Sequence, residues 1–342
     1  MKRFVLLLCC LLPLATAAQP QKQKQKRDNF FTDLHDFLEM RSAKAYARMD
    51  TSYIDRYPYI WDTRTFLNTE GLHLKTEGPS SAQLSTGMSN RVGLSLGYRG
   101  LALSFSKAFG SKLNFGLGFS SYGRFGFEYA LRASSRLGGT VEMQDGTLRN
   151  AASGDMTLLA SNLNLFYTFN PRFSYAAAMK QAKIQRRSAG SFIAAVSWTV
   201  WDVLDAGPDI ISKQTSLETF LNVTNVMYNR FSIGAGYGYN LVLGQEHWLL
   251  HASLIPMWTF YDSTRLRTDG ATTRYSRPAG RIGVTGTARA GIYYRWTSRW
   301  SVGLSGIVNQ MSSSTSFRIK PEGYTRFAAQ DWQARLSVGF RF

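Results

Sequence analysis

Nucleophilic chemistry in this chain of 342 residues could come from one place, where His247 and His251 share a strand face with Ser253. A serine beside an imidazole is the start of an acyl-transfer site, because the ring takes the hydroxyl proton as attack begins. Such a site also needs a third group that fixes the tautomer of the ring. Neighbours at i and i+2 on a strand point parallel rather than toward each other, and no carboxylate or asparagine close in sequence is obliged to hold His251. His35 and His73 stand apart, and Cys9 and Cys10 have no histidine near them. Gly234, Gly236 and Gly238 alternate strictly, which relieves crowding on one strand face and does not build a phosphate cradle. No cofactor or metal is implied, and His251 reads as an inward-facing strand residue.

The cationic side chains are the second candidate set. Arg99, Arg132, Arg281, Arg289, Arg295, Arg335 and Arg341 all fall on the polar face of alternating segments. Inside a closed sheet they would pair with carboxylates such as Glu128, since an unpaired buried charge is costly; left unpaired, they would form a ring that draws anions into a pore. Lys180, Lys183, Arg186 and Arg187 make a separate basic loop suited to lipopolysaccharide phosphates. The formal charge of +18 would ordinarily suggest nucleic acid. An exported chain meets none, so anionic lipid or a basic interior is the better account.

Export is read from the first residues. Lys2 and Arg3 precede an apolar stretch over residues 4–14, and Ala15, Thr16, Ala17 and Ala18 offer small residues for cleavage. The expected signal peptide is residues 1–18, and its loss removes both cysteines. Residues 19–58 are expected as a periplasmic polar leader followed by a short amphipathic helix over 28–49, N-capped by Asp28. That helix would pack on the periplasmic rim or, alternatively, plug the interior.

From Trp61 to the end the period is two. Val92, Leu94, Leu96 and Tyr98 alternate with Gly93, Ser95, Gly97 and Arg99; Phe125, Phe127, Tyr129 and Leu131 alternate with Gly126, Glu128, Ala130 and Arg132. Each strand therefore carries one apolar face and one small or charged face. A mean hydropathy of -0.20 conceals this, because alternation cancels in any window average. Residues 59–342 are expected to form an all-β fold, a transmembrane antiparallel up-and-down β-barrel of 12 strands, with 14 as the alternative, its apolar face toward lipid. Short periplasmic turns are expected at 99–100, 170–172, 244–246 and 297–299. Long extracellular stretches are expected at 136–155, 263–278 and 312–326, and residues 202–229 resist assignment.

The last segment, in which Trp332, Ala334, Leu336, Val338, Phe340 and Phe342 alternate with polar residues, resembles the terminal strand of outer-membrane barrels. The resemblance implies that the barrel-assembly machinery reads Phe340 and Phe342. Asp50-Thr51-Ser52-Tyr53-Ile54 with Tyr57 and Pro58, the run from Arg172 to Ala178, and Arg187-Ser188-Ala189-Gly190-Ser191-Phe192 together resemble an uncharacterised family of Bacteroidetes outer-membrane barrels defined as a domain of unknown function. The likeness spans nearly the whole mature chain and implies no activity or ligand. The stretch after Trp198, with Asp202, Asp205 and Asp209, departs from it. The expected role is a non-enzymatic narrow channel or envelope-structural protein in contact with outer-membrane lipid and lipopolysaccharide. The alternatives are a lipid-acting enzyme and a receptor that binds an extracellular ligand through its loops.

Overall fold

The structure is a computed structural model. It describes residues 30–77, 81–109, 114–142, 146, 148–205, 225–268, 271–276, 283–319 and 323–342. The chain divides into two units, residues 1–41 and 42–342. Helix α1, Phe30–Ala47, crosses that boundary; Asp28, residues 1–18 and the polar leader lie outside the described residues.

The second unit begins with a short strand, β1 (Ile54–Arg56), and then enters a sheet. Its strands are β2 (Trp61–Glu77), β3 (Ser81–Ser85), β4 (Ser89–Tyr98), β5 (Leu101–Ala108), β6 (Asn114–Ser121), β7 (Phe125–Glu142) and β8 (Leu148–Thr168). A six-residue helix, α2 (Tyr175–Lys180), and a short strand, β9 (Lys183–Gln185), come next. The sheet resumes with β10 (Ala189–Asp205), β11 (Asn225–Leu243), β12 (Trp248–Thr268), β13 (Ala271–Ser276), β14 (Gly283–Arg295), β15 (Trp300–Ile319) and β16 (Gly323–Arg341).

Twelve of these strands pair antiparallel, each with its neighbour in sequence, and β16 pairs back onto β2 to close the barrel. Closure leaves no strand edge for another chain to extend. The register at closure runs from Arg341 opposite Asp62 to Arg326 opposite Glu77. Three strands on one side are short, with β5 and β6 at 8 residues each. Their far ends are capped by β3, which reaches across them to pair with both β2 and β7.

The opposite side is tall, because β8 and β12 run 21 residues and β15 runs 20. A tilted membrane crossing takes about 9–11 residues. The surplus extends at the end away from Phe342, where β7 continues with β8 to the pair Glu142 and Leu148, and β15 continues with β16 to Ile319 and Gly323. The stretches expected as extracellular loops at 136–155, 263–278 and 312–326 are thus largely hairpin strands. Alternation there is masked by Ser, Thr and Arg on both faces. Residues 202–229 resolve into strand through Asp205 and again from Asn225, and 206–224 lie outside the described residues.

Turns at the Phe342 end are tight. Arg99 and Gly100 both take positive φ, 48° and 88°, as a two-residue hairpin turn of this hand requires. Residues 244–247 form a second, four-residue turn in which Gly244, Gln245 and Glu246 take positive φ, and residues 296–299 form a third of the same length. At 170–172 the chain does turn, the Phe173 amide donating to the Asn170 carbonyl at 3.2 Å, but not into the next barrel strand: residues 169–188 fold inward, carrying α2 into the barrel and pairing β9 with β1.

The faces follow the alternation. Leu94, Phe105, Leu254, Trp258 and Leu304 point outward and are exposed, whereas Ser95, Ser106, Ser253 and Arg289 point inward and are buried. Trp61 packs on Tyr98, Trp248 on Tyr294, and Trp300 on Phe340, with centroids 4.5–4.7 Å apart. These pairs form an aromatic belt at the Phe342 end. A continuous apolar girdle with an aromatic rim is a surface that acyl chains solvate and water does not.

Candidate functional site

Inward positions along one strand give the build of the interior. On β8, Thr168 and Phe166 are followed by Asn164 and Asn162, then by Ala160, Leu158 and Met156. These mark three layers: an aromatic plug at the Phe342 end, a polar middle and an apolar far layer.

The plug layer is built by residues 169–188. Ser174 caps α2 by accepting from the Ala177 amide at 3.1 Å, and Gln181 ends the helix in the left-handed conformation with φ 49°. Phe173, Tyr175 and Ala176 pack against Tyr122, Phe166, Ile193, Ile255 and Met257. Two arginines hold the carbonyl end of α2: Arg64 donates to the Lys180 carbonyl, and Arg341 donates to the Gln181 carbonyl at 2.7 Å. A glycine makes room on the wall, for a Cβ on Gly238 would stand 3.0 Å from Ile193 and 3.2 Å from Phe173.

His251 and Ser253 belong to this layer. The strand pairing that joins β11 to β12 sets Asn240 opposite His251, and its Oδ1 lies 2.8 Å from Nδ1 of the ring. Asn240 Nδ2 donates to the Ser174 carbonyl at 2.9 Å and to Gln185 Oε1 at 3.1 Å. Its oxygen therefore accepts from His251, which assigns the proton to Nδ1 and leaves Nε2 to accept from the Ser253 hydroxyl at 3.1 Å. The serine, histidine and orienting amide of an acyl-transfer triad are all present, with the third member supplied by a neighbouring strand and so invisible to local spacing.

Access is missing. The three residues are 6 %, 4 % and 0 % exposed, under the rings of Tyr175 and Phe173, and His251 and Ser253 do not line the central cavity. A nucleophile must reach a bound substrate. This network instead ties the plug to the wall, with Gln185 Nε2 donating onward to the Arg172 and Arg187 carbonyls.

The middle layer encloses a cavity of ≈ 180 Å³. Arg289 meets Glu128 through two bonds of 2.6 and 2.8 Å, and Arg132 meets Asp331 through two of 2.6 and 2.9 Å. Arg91 Nε lies 2.8 Å from Glu70. Bidentate geometry of this kind offsets the cost of removing both charges from water. Arg335 donates to Asn68 at 2.7 Å and lies over the Phe66 ring.

The far layer comprises Leu72, Leu84, Leu137, Met156, Leu158, Trp201, Tyr228 and Met311, all buried. An aqueous passage along the barrel would leave inward side chains of all three layers wetted, and Tyr175, Met156 and Leu137 are at most 1 % exposed.

Among the arginines expected inside, Arg132, Arg289, Arg335 and Arg341 are brought together in the lumen. Arg295 sits at the rim on the Glu246 carbonyl, 2.8 Å away, Arg99 occupies a turn, and Arg281 lies outside the described residues. Sequence reasoning missed Arg64, Arg91, Glu70 and Asp331, although each continues the inward parity of its strand.

The basic loop expected at Lys180, Lys183, Arg186 and Arg187 divides in the structure, with Lys180 and Lys183 half-buried and Arg186 and Arg187 exposed. Lys180 lines the cavity and Lys183 Nζ lies 2.8 Å from Met49 Sδ. Arg186 pairs with Asp55 at 2.5 Å, and Arg187 lies over the Tyr53 ring. Phe340 and Phe342 stack at the barrel mouth with centroids 6.1 Å apart. Among the described residues no group of His, Cys, Asp and Glu could hold a metal.

The family model described as a domain of unknown function (DUF4421) matches residues 48–342. No curated protein matches the sequence. Among solved structures, the outer membrane protease OmpT from Escherichia coli is similar over 86 % of this chain and 100 % of its own, with 9 % identity and a TM-score of 0.43. The beta domain of the Bordetella autotransporter BrkA is similar over 83 % and 99 %, with 10 % identity and a TM-score of 0.37. The Pseudomonas putida toluene transporter TodX is similar over 83 % and 91 %, with 10 % identity and a TM-score of 0.29.

Proposed function

The chain belongs to the DUF4421 family, and we propose that it spans an outer membrane as a non-enzymatic, closed barrel with an envelope-structural role. In this reading residues 1–18 direct export and are removed, the Phe342 end faces the periplasm, and the tall hairpins β7–β8 and β15–β16 stand outside the cell. The outward leucines and aromatics would meet outer-membrane lipid.

The observation that carries the choice of a closed barrel over a narrow channel is the burial of inward side chains in both end layers. Tyr175 seals one end and Met156 with Leu137 the other. A lipid-acting enzyme finds no support, because the Ser253 hydroxyl is shut behind the plug.

Planar-bilayer recording tests the proposal. Folded protein, verified by its heat-modifiable migration on gels, should insert without steady unitary conductance. Reproducible single-channel steps from that preparation would restore the channel reading.

A further inference from the structure

Charge does not balance across the luminal cavity. Its wall carries five cations, Arg91, Arg132, Lys180, Arg289 and Arg335, and three carboxylates, Glu70, Glu128 and Asp331. The three ion pairs consume all three acids, together with Arg91, Arg132 and Arg289. Lys180 and Arg335 are left without a carboxylate partner among the described residues. Asn68 gives Arg335 a neutral acceptor only, and beyond the wall Arg64, bonded to the Lys180 carbonyl, and Asp62 bring opposite charges to the same corner.

Hydrogen-bonding capacity is skewed in the same direction. Arg91 Nη1, Arg289 Nε, the Ser120 and Tyr293 hydroxyls and Glu70 Oε2 lie on this wall, buried and without a hydrogen-bond partner, and of these only the carboxylate oxygen cannot donate. A confined space with surplus positive charge and surplus donors is complementary to an anion. Its volume of ≈ 180 Å³ exceeds what one water needs by roughly tenfold.

We propose that the lumen is an anion site, in which one small inorganic anion sits between the Lys180 ammonium and the Arg335 guanidinium. The anion supplies the negative charge that the three luminal carboxylates do not. This goes beyond the closed-barrel reading and does not depend on it, since the same wall would hold an anion in a barrel that conducts.

Crystals of the full folded protein grown in sodium bromide, with diffraction recorded at the bromine edge, give the test. An anomalous peak is expected inside the barrel between Lys180 and Arg335, and it should vanish in Lys180→Met. Arg335→Lys keeps both charges and should keep the peak, which covers the case in which Lys180→Met does not fold. In solution the wild-type urea midpoint should be higher in sodium chloride than in sodium gluconate at equal ionic strength, and Lys180→Met should abolish the difference. Bromide bound only on the outer surface, a luminal peak that survives Lys180→Met, or equal wild-type midpoints in the two salts would overturn the proposal.

Discussion

Replacing Glu128 with glutamine removes one charge from the middle of the barrel and leaves Arg289 where it is. Arg289 is 7 % exposed, with the Tyr175 ring 5.6 Å from its guanidinium and Met179 Sδ 3.5 Å from Nη1. No other luminal carboxylate replaces the lost one, because Asp331 is held by Arg132 and Glu70 by Arg91. Breaking a buried pair from one side costs about 3–5 kcal/mol, and the loss of two charge-assisted bonds argues for the upper half of that range. Glutamine retains an acceptor for the Tyr122 hydroxyl, which now bonds the carboxylate, so the penalty isolates the charge. The assay is urea unfolding in detergent micelles, followed by tryptophan fluorescence and heat-modifiable migration. Removing both partners in Glu128→Leu with Arg289→Met should recover most of the loss, since an apolar pair leaves no orphaned charge. Glu128→Gln matching wild type to within about 0.5 kcal/mol, or a double variant as unstable as the single one, would refute the account of the charged layer.

Asn240→Leu deprives His251, Gln185 and the Ser174 carbonyl of a partner together; at about 1–3 kcal/mol per orphaned group, limited proteolysis should cut within residues 169–188 while the rest of the barrel resists. Ser253→Ala should cost only about 1 kcal/mol and leave any lipid hydrolysis by the preparation unchanged; loss of a hydrolytic activity would revive the enzyme reading. Gly238→Val forces a side chain against Phe173 and Ile193 and should cost about 1–3 kcal/mol through overpacking, read as a lower urea midpoint. Burial, with the charge of Arg56 second, lowers Lys183 on β9 to about 7 from an ordinary value near 10.5. The unfolded chain then holds a proton that the folded chain lacks between those values, so stability rises with pH from about 7 to about 10.5 and is flat below. Lys183→Met should remove that slope, and an unchanged slope in the variant would refute this assignment.

The barrel was legible because period-two alternation is a local property. Val92, Leu94 and Leu96 sit outward and Gly93, Ser95 and Gly97 inward, as their order implies. The same rule finds Arg132, Arg289, Arg335 and Arg341 inside, and it would have found Arg91 had the face of β4 been followed one step back from Gly93. What the sequence hid depends on contacts across the barrel. Asn240 meets His251 only through the pairing of β11 with β12, and Asp331 meets Arg132 across 199 residues.

The inward turn at 169–188 was hidden for a different reason. Tyr175, Ala176, Ala177 and Ala178 give no amphipathic signal, because a helix packed on all sides inside a barrel has no polar face. Basic residues around it then read as a solvated loop. The far apolar layer was hidden because Leu72, Leu158 and Trp201 break the rule that inward residues are small or polar.

Which medium touches each side chain of the wall separates a sealed, lipid-facing barrel from a water-filled passage. Spin labels placed one at a time along 301–305 of β15 in reconstituted protein, with collision rates measured for oxygen and for a water-soluble nickel chelate, test that most directly. Labels at Val302 and Leu304 should collide with oxygen and not nickel, and labels at Ser301 and Gly303 should meet little of either. Nickel collisions at Ser301 and Gly303 would mean a water-filled passage, and nickel collisions at Val302 and Leu304 would mean that the apolar face does not lie in lipid.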